Sequence, residues 1–319
     1  MKTTLLKLKE SRWTSRLLSP LILLLLAVIF SVMTGGRFSN LRNLGIIVQQ
    51  TLVVATVATG AVFIFATGNV IISLGSATAL VSTIAVKVYL ATNSIPAMLV
   101  AAVVAGCLIL LLTALLSTSL NVRVLYVTVV MMTLLSSIQK AILGSNSLKV
   151  SYEVTSSMSN ANLPIILFVL FFVLCTVLFH FTAIGRKLRY IGINERCAEL
   201  TGFKLNRYLL LAFLISGIGV GLGAVLTIVR NGAITTDTCA TLNMDCMLAI
   251  VLGGMSCFGG SRSNTYSAVV GSLIVTVLNN GLLMIGVSST VLQAIRGIVF
   301  IILVCASQTR PQGLPSRDG

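Results

Sequence analysis

Reactive side chains are scarce in this 319-residue chain, and their spacing excludes most enzymatic chemistry. The single histidine, His180, has no acid near it in sequence, so neither a proton relay nor a histidine metal site has its second member. The seven cysteines, at 107, 175, 197, 239, 246, 257 and 305, show no CxxC spacing and read as small buried hydrophobes. No metal site and no cofactor is expected. Ser76 follows Gly75 and could serve as a nucleophile with His180 as base, but nothing in the spacing joins the two, and paired GxGD aspartates are absent. Gly217, Gly219, Gly221 and Gly223 imitate a dinucleotide-binding loop without the strand that motif needs, and read instead as a close-packing helix face. No Gly-Lys dipeptide occurs, so a phosphate-binding loop of the GxxxxGK[ST] kind is excluded.

What remains is a set of uncharged polar residues embedded in apolar runs: Gln49, Gln50, Asn69, Ser73, Ser76, Asn279 and Asn280, with the acid Asp245. Side chains of this type inside apolar segments either line a path for a polar solute or hydrogen-bond between helices. A charge at such depth usually finds a partner, and Arg230 or Arg296 is expected to pair with Asp245.

The segments that position them are membrane spans. Only 9% of residues are charged and 56% are hydrophobic, against about 25% charged in an ordinary soluble protein. A spanning helix needs about 20 apolar residues. The charge-free intervals from Arg16 to Arg37 (20 residues) and from Arg207 to Arg230 (22) each hold one helix. The interval from Arg42 to Lys87 (44) holds two, with a break at Gly68-Asn69. Lys87 to Arg123 (35) is interrupted at Asn93, Ser94 and Pro96, and Arg123 to Lys140 adds a helix. A helix is predicted from about Leu163 to Ile184; Arg262 to Arg296 (33) holds one helix and a turn near Gly286 to Ser289, and a last helix runs from Ser289 to Cys305 and must accommodate Arg296. Asp245 to Arg262 leaves only 16 residues, rich in glycine and serine, and reads as a short or irregular span.

The expectation is an all-α polytopic membrane protein of about ten transmembrane helices. Residues 1–16 and 308–319 are taken as cytoplasmic ends and 17–307 as the transmembrane domain. The interrupted spans near Asn69 and Asp245 fall third and eighth, the placement expected of two five-helix halves in inverted orientation. Lys2 to Arg16 followed by Leu21 to Leu26 imitates a signal peptide, but no cleavage site follows and an uncleaved first helix is expected. Net charge is +15, and with both termini inside, 15 of the 22 basic residues fall on the cytoplasmic side. The excess therefore needs no nucleic acid.

The longest polar segment is IGRKLRYIGINERCAELTGFKLNR, Ile184 to Arg207. Asn194 is placed to cap a short helix bearing Glu195 and Glu199, and Gly202 to end it. The residues Gly185, Arg186, Gly192, Asn194, Glu195, Ala198 and Gly202 resemble the GR…IGxNExxAxxxG pattern of ABC importer permeases of the ribose, xylose and autoinducer type, within the branched-chain amino acid and monosaccharide permease superfamily. GNVIISLGS (Gly68 to Ser76) resembles that family's GGIDLSVGS. LNMDCMLAIVLGGMSCFGG (Leu242 to Gly260) resembles ELDAIAAVVLGGxSLxGG, and Asn279-Asn280-Gly281 with Gly286 to Ser289 resembles LNNGLxLxGVSS. The likeness covers about residues 45 to 305.

The resemblance implies a bacterial inner-membrane permease subunit that passes a monosaccharide or related small solute. Its partners would be two cytosolic ABC ATPase subunits, an extracytoplasmic solute-binding protein and a second permease copy, within membrane lipid. Residues 185–207 would be the ATPase-coupling loop, with Ala198 and Gly202 permitting close seating. One departure stands out: Ile71 occupies the position of the family's aspartate. The competing class is a secondary transporter or channel acting without an ATPase.

Overall fold

The computed structural model describes residues 12–307 except 145–146, 152–154, 157, 159–161, 256–258 and 261–262, with backbone alone for 12–22 and 303–307. Most of the two expected cytoplasmic ends lies outside the described residues.

The long helices are α1 (Arg12–Met33), α2 (Leu41–Ala66), α3 (Leu74–Thr92), α4 (Ile95–Ser119), α5 (Val124–Leu143), α6 (Leu163–His180) and α9 (Leu205–Asn231). After a short elbow of α7 (Ala183–Ile193) and α8 (Glu195–Leu200), α9 leads to α10 (Leu242–Leu252), α11 (Thr265–Met284) and α12 (Ser289–Ser307). Two-residue strands β1 (Leu148–Lys149) and β2 (Ala233–Ile234) pair antiparallel. Seven helices, α2 to α6, α9 and α11, are long and apolar enough to cross a membrane, and shorter apolar stretches occupy Leu23–Met33, Leu242–Leu252 and Ser289–Ile302. This is an all-α polytopic membrane protein.

Local sequence explains the boundaries. Asn40 caps α2 by accepting from the Arg42 amide, 3.3 Å away. Pro96 and Pro164 sit in the first turns of α4 and α6, where a missing N–H costs nothing. Asn93, in the left-handed region at φ 48°, stops α3. The first helix is already formed at Arg12, ahead of the apolar run that begins after Arg16. One predicted boundary is corrected. The helix expected to reach Ile184 ends at His180, and residues 183–193 form a separate helix that the polar reading of this segment missed.

Burial divides the helices into a centre and a rim. In α2, 78% of the most apolar window is buried inside the protein, against 17% in α6. The rim helices expose Val104, Leu108, Leu112, Ile166 and Leu170, a surface that only a lipid environment makes stable. At the centre α9 packs on α4 and α2 through the glycines that imitate a nucleotide loop. A Cβ at Gly217 would lie 2.7 Å from the Cys107 Cα, and one at Gly221 2.6 Å from the Val103 Cα, both on α4. Gly219 and Gly223 face Gly60 and Val57 on α2. The packing reading of this stripe is correct.

With the short elbow helices α7 and α8 left out of the count, helix contacts repeat with an offset of five. The pairs α4·α9, α3·α4, α3·α9, α3·α5 and α4·α5 have the counterparts α2·α11, α10·α11, α2·α10, α10·α12 and α11·α12. The peripheral helices depart from it: α1 packs on α11, and α6 on α2.

Candidate functional site

Two places concentrate the polar residues. One is the elbow between α6 and α9. A Cβ at Gly185 would lie 2.0 Å from the Phe179 carbonyl oxygen, so only glycine lets α7 fold back over the end of α6. Arg189 fixes that fold: its Nη2 donates to the Phe179 carbonyl at 2.9 Å and its guanidinium lies 4.9 Å from the Phe179 ring centre. Partial burial pulls the Arg189 pKa down, but a guanidinium starts high enough to stay cationic. Phe179 meets Phe63 of α2 edge to face at 5.2 Å. Lys187 donates to the Tyr208 hydroxyl at 2.7 Å, tying α7 to α9. Gly192 backs onto the C-terminus of α2, where a Cβ would come within 2.0 Å of the Ala66 carbonyl oxygen.

Asn194 then caps α8, its Oδ1 accepting from the Cys197 amide at 3.1 Å. Gly202, at φ +82°, ends the helix, and the Phe203 amide donates to the Ala198 carbonyl at 3.2 Å. Both capping expectations agree with this geometry. Placement of the other elbow residues divides. Gly185 and Ala198 are buried and Gly192 is half-buried against α2, so all three seat the elbow on the protein itself. Arg186, Glu195, Gly202 and the apolar Leu200, at 83% exposure, face outward.

The second place is a buried polar knot joining α10, α11 and α12. Asp245 and Arg296, only 6% and 7% exposed, form an ion pair at 3.3 Å. Asn279 bridges them: its Nδ2 donates to Asp245 Oδ1 at 3.2 Å and its Oδ1 accepts from Arg296 Nε at 2.9 Å. Thr241 Oγ1 donates to the other carboxylate oxygen at 3.3 Å. Of the two arginines expected as partners, Arg296 takes the role.

The remaining candidates are not gathered at this knot. Asn69 Nδ2 donates to Thr67 Oγ1 at 3.0 Å, and Ser76 Oγ to the Ser73 carbonyl at 3.0 Å, ahead of and within the first turn of α3. The Ser73 hydroxyl is fully enclosed and, like Asn280 Oδ1, has no partner among the described residues. Gln49 lies near the other end of α2 beside Arg230, and Gln50 is half-buried. Sequence reasoning missed Gly75 and Asn243. The Gly75 amide donates to Asn243 Oδ1, joining the first turns of α3 and α10. A Cβ at Gly75 would lie 2.7 Å from the Cys239 carbonyl oxygen, and the Gly-Ser pair at the start of a span was the available signal. His180 meets the Phe179 ring edge to face, and Ser76 is engaged as above, so the nucleophile reading gains no support.

A lipid-facing helical rim, interrupted central helices and an outward polar elbow define a membrane-embedded transport component. Residues 43–304 match the family described as "Branched-chain amino acid transport system / permease component", and the chain belongs to that family. It is 26% identical over 307 residues to the ribose import permease protein of Escherichia coli, covering 92% of this chain and 93% of that one. It is 28% identical over 282 residues to the galactofuranose transporter permease protein of Escherichia coli, covering 85% and 82%. The autoinducer 2 import system permease protein of Salmonella paratyphi B is 33% identical over 139 residues, 42% of each chain. No solved structure matches.

Proposed function

We propose that this chain is the membrane-spanning subunit of an ATP-driven importer for a monosaccharide or related small polar solute, working as one of a pair of permease copies. A solute-binding protein delivers the solute and two cytosolic ATPase subunits supply the energy. About ten spans cross the bacterial inner membrane, with both termini cytoplasmic and residues 185–207 as the ATPase-coupling loop. The observation that carries this reading is the elbow. It is locked to α2, α6 and α9 by Gly185, Arg189, Lys187 and Gly192, while Glu195, Cys197 and Leu200 are left outward for a partner. A partner that pushes on α8 therefore pushes on three helices of the bundle. The polar residues Gln49, Gln50, Asn69, Ser73, Ser76, Asp245, Asn279 and Asn280 remain candidates for the solute path, and the ion-paired Asp245 with Asn279 is better suited to holding helices than to releasing a sugar.

The test is reconstitution in vesicles with and without the ATPase and the binding protein. Uptake of radiolabelled ribose or galactose should require all three and ATP. Replacing Glu195 by Ala and Gly202 by Val should leave ATP hydrolysis but uncouple it from uptake. Sugar uptake by the permease alone would instead establish a secondary transporter or channel.

A further inference from the structure

Beside the elbow lies a groove open to solvent and lined by Arg186, Arg189, Tyr190 and Ile193. These are positions i, i+3, i+4 and i+7 of α7, one helical stripe, while Gly185, Leu188 and Ile191 bury the opposite face. No acid lines the groove, and Arg186 makes no hydrogen bond or ion pair among the described residues. Arg189 spends Nη2 on the Phe179 carbonyl at the last turn of α6 and Nε on the Gly185 carbonyl, which leaves Nη1 toward the groove. The Phe179 contact fixes the groove's depth: it sits level with the end of a membrane span. Tyr190 and Ile193 are 61% and 60% exposed, and Phe181, one residue past α6, is 79% exposed. Two arginines and the exposed Tyr190 and Ile193 thus share one groove beside the end of α6.

We propose that this groove binds an anionic phospholipid, the two guanidinium groups taking the phosphodiester and Tyr190 and Ile193 lying along its glycerol and acyl region. Arginine suits a phosphate because its planar fork donates two parallel hydrogen bonds. An amphipathic helix with a basic face and exposed apolar side chains lies in the membrane interface for the same reasons. The lining favours lipid: the exposed Tyr190 and Ile193 flank the two arginines and no acid does.

The full-length protein, purified in a neutral detergent, is equilibrated with nanodiscs of equimolar phosphatidylcholine and phosphatidylglycerol, and the lipid retained on release is counted by native mass spectrometry. Phosphatidylglycerol should be retained in preference. Arg186→Gln should cut its retention about fivefold, the worth of one basic residue at an anionic surface, and leave phosphatidylcholine unchanged. Arg186 is exposed, so the variant should match the wild type in gel filtration. Ile193→Ser should also lower retention of the diacyl lipid. Equal retention of the two lipids, or no effect of Arg186→Gln, overturns the proposal. Competition by glycerol 3-phosphate as effective as by the lipid would make this a soluble-phosphate site and likewise overturn it. Unchanged lipid retention with lost capture of the purified ATPase subunit would assign the groove to that partner instead.

Discussion

Removing Arg296 isolates the strongest electrostatic commitment in the bundle. Arg296→Met keeps most of the side-chain length and leaves the buried Asp245 with hydrogen bonds from Asn279 and Thr241 and only the more distant charge of Arg230. Breaking a buried pair from one side costs about 3–5 kcal/mol in soluble proteins. A charge placed at mid-membrane in a helix costs about 2.5–3.5 kcal/mol on insertion scales. The two bracket a loss of about 3 kcal/mol, a melting shift on the order of 6 °C at roughly 2 °C per kcal/mol for a chain of this size. Asp245→Asn should cost a similar amount by stranding the guanidinium. The double variant removes both charges while the introduced amide can still meet Asn279, so it should be more stable than either single variant. A double-mutant cycle read by thermal melting in detergent measures this coupling. Additive losses, or a shift under about 2 °C for Arg296→Met, would refute the claim that this pair holds α10 to α12.

Four further outcomes follow from particular positions. Gly221→Leu should abolish recovery of folded protein, because its Cβ alone would meet the Val103 Cα at 2.6 Å, whereas Gly45→Ala, with nothing within 4 Å, should be neutral or up to about 1 kcal/mol stabilising; monodisperse yield after gel filtration separates them. Asn194→Ala should cost about 1 kcal/mol locally and loosen α8, seen as faster amide exchange at residues 195–200 with the spans unchanged. Ser73→Ala removes an enclosed hydroxyl without a partner among the described residues, so the melting temperature should hold or rise, and a fall in uptake at unchanged stability would mean the hydroxyl meets the solute. Ile71→Asp should destabilise by about 1–2 kcal/mol less than Ile64→Asp at equal burial, because only Ile71 lies beside helix N-termini; equal melting temperatures would contradict this.

The sequence made the spans legible because a charge in the bilayer is costly enough to mark almost every helix end. Where that rule met a segment outside the apolar interior, it failed. Residues 183–193 carry three basic side chains and read as loop, yet Leu188 and Ile191 already stood at helical spacing with Gly185. Their buried face is set by Phe179 and Ala66, which no local pattern reveals. The caps at Asn194 and Gly202 were legible because capping is local chemistry. Ala198 was not: small size permits close approach on either side, and tertiary packing chose the protein's own interior. The choice between Arg230 and Arg296 for Asp245 turned likewise on the packing of α10 against α11 and α12.

The meeting of α3 and α10 gives the interrupted spans a physical reason. At 11 residues and 1.5 Å each, α10 is about 16 Å long, roughly half a 30 Å hydrocarbon core. Its counterpart α3 begins only at Leu74, after a non-helical stretch in which Ile71 and Ser73 are fully enclosed. Each interruption brings a helix N-terminus into the protein interior, and the two first turns touch. Like dipole ends placed together repel, so acceptors must offset their unpaired amides. Asn243 supplies one to Gly75 and the Cys239 carbonyl another to Leu242. The acid that resembling permeases carry at the position of Ile71 would add negative charge beside this junction. Here neutral acceptors take that place. Under the proposed function, a push on the elbow passes through Gly192 to the end of α2, which packs against α10 and so against this junction.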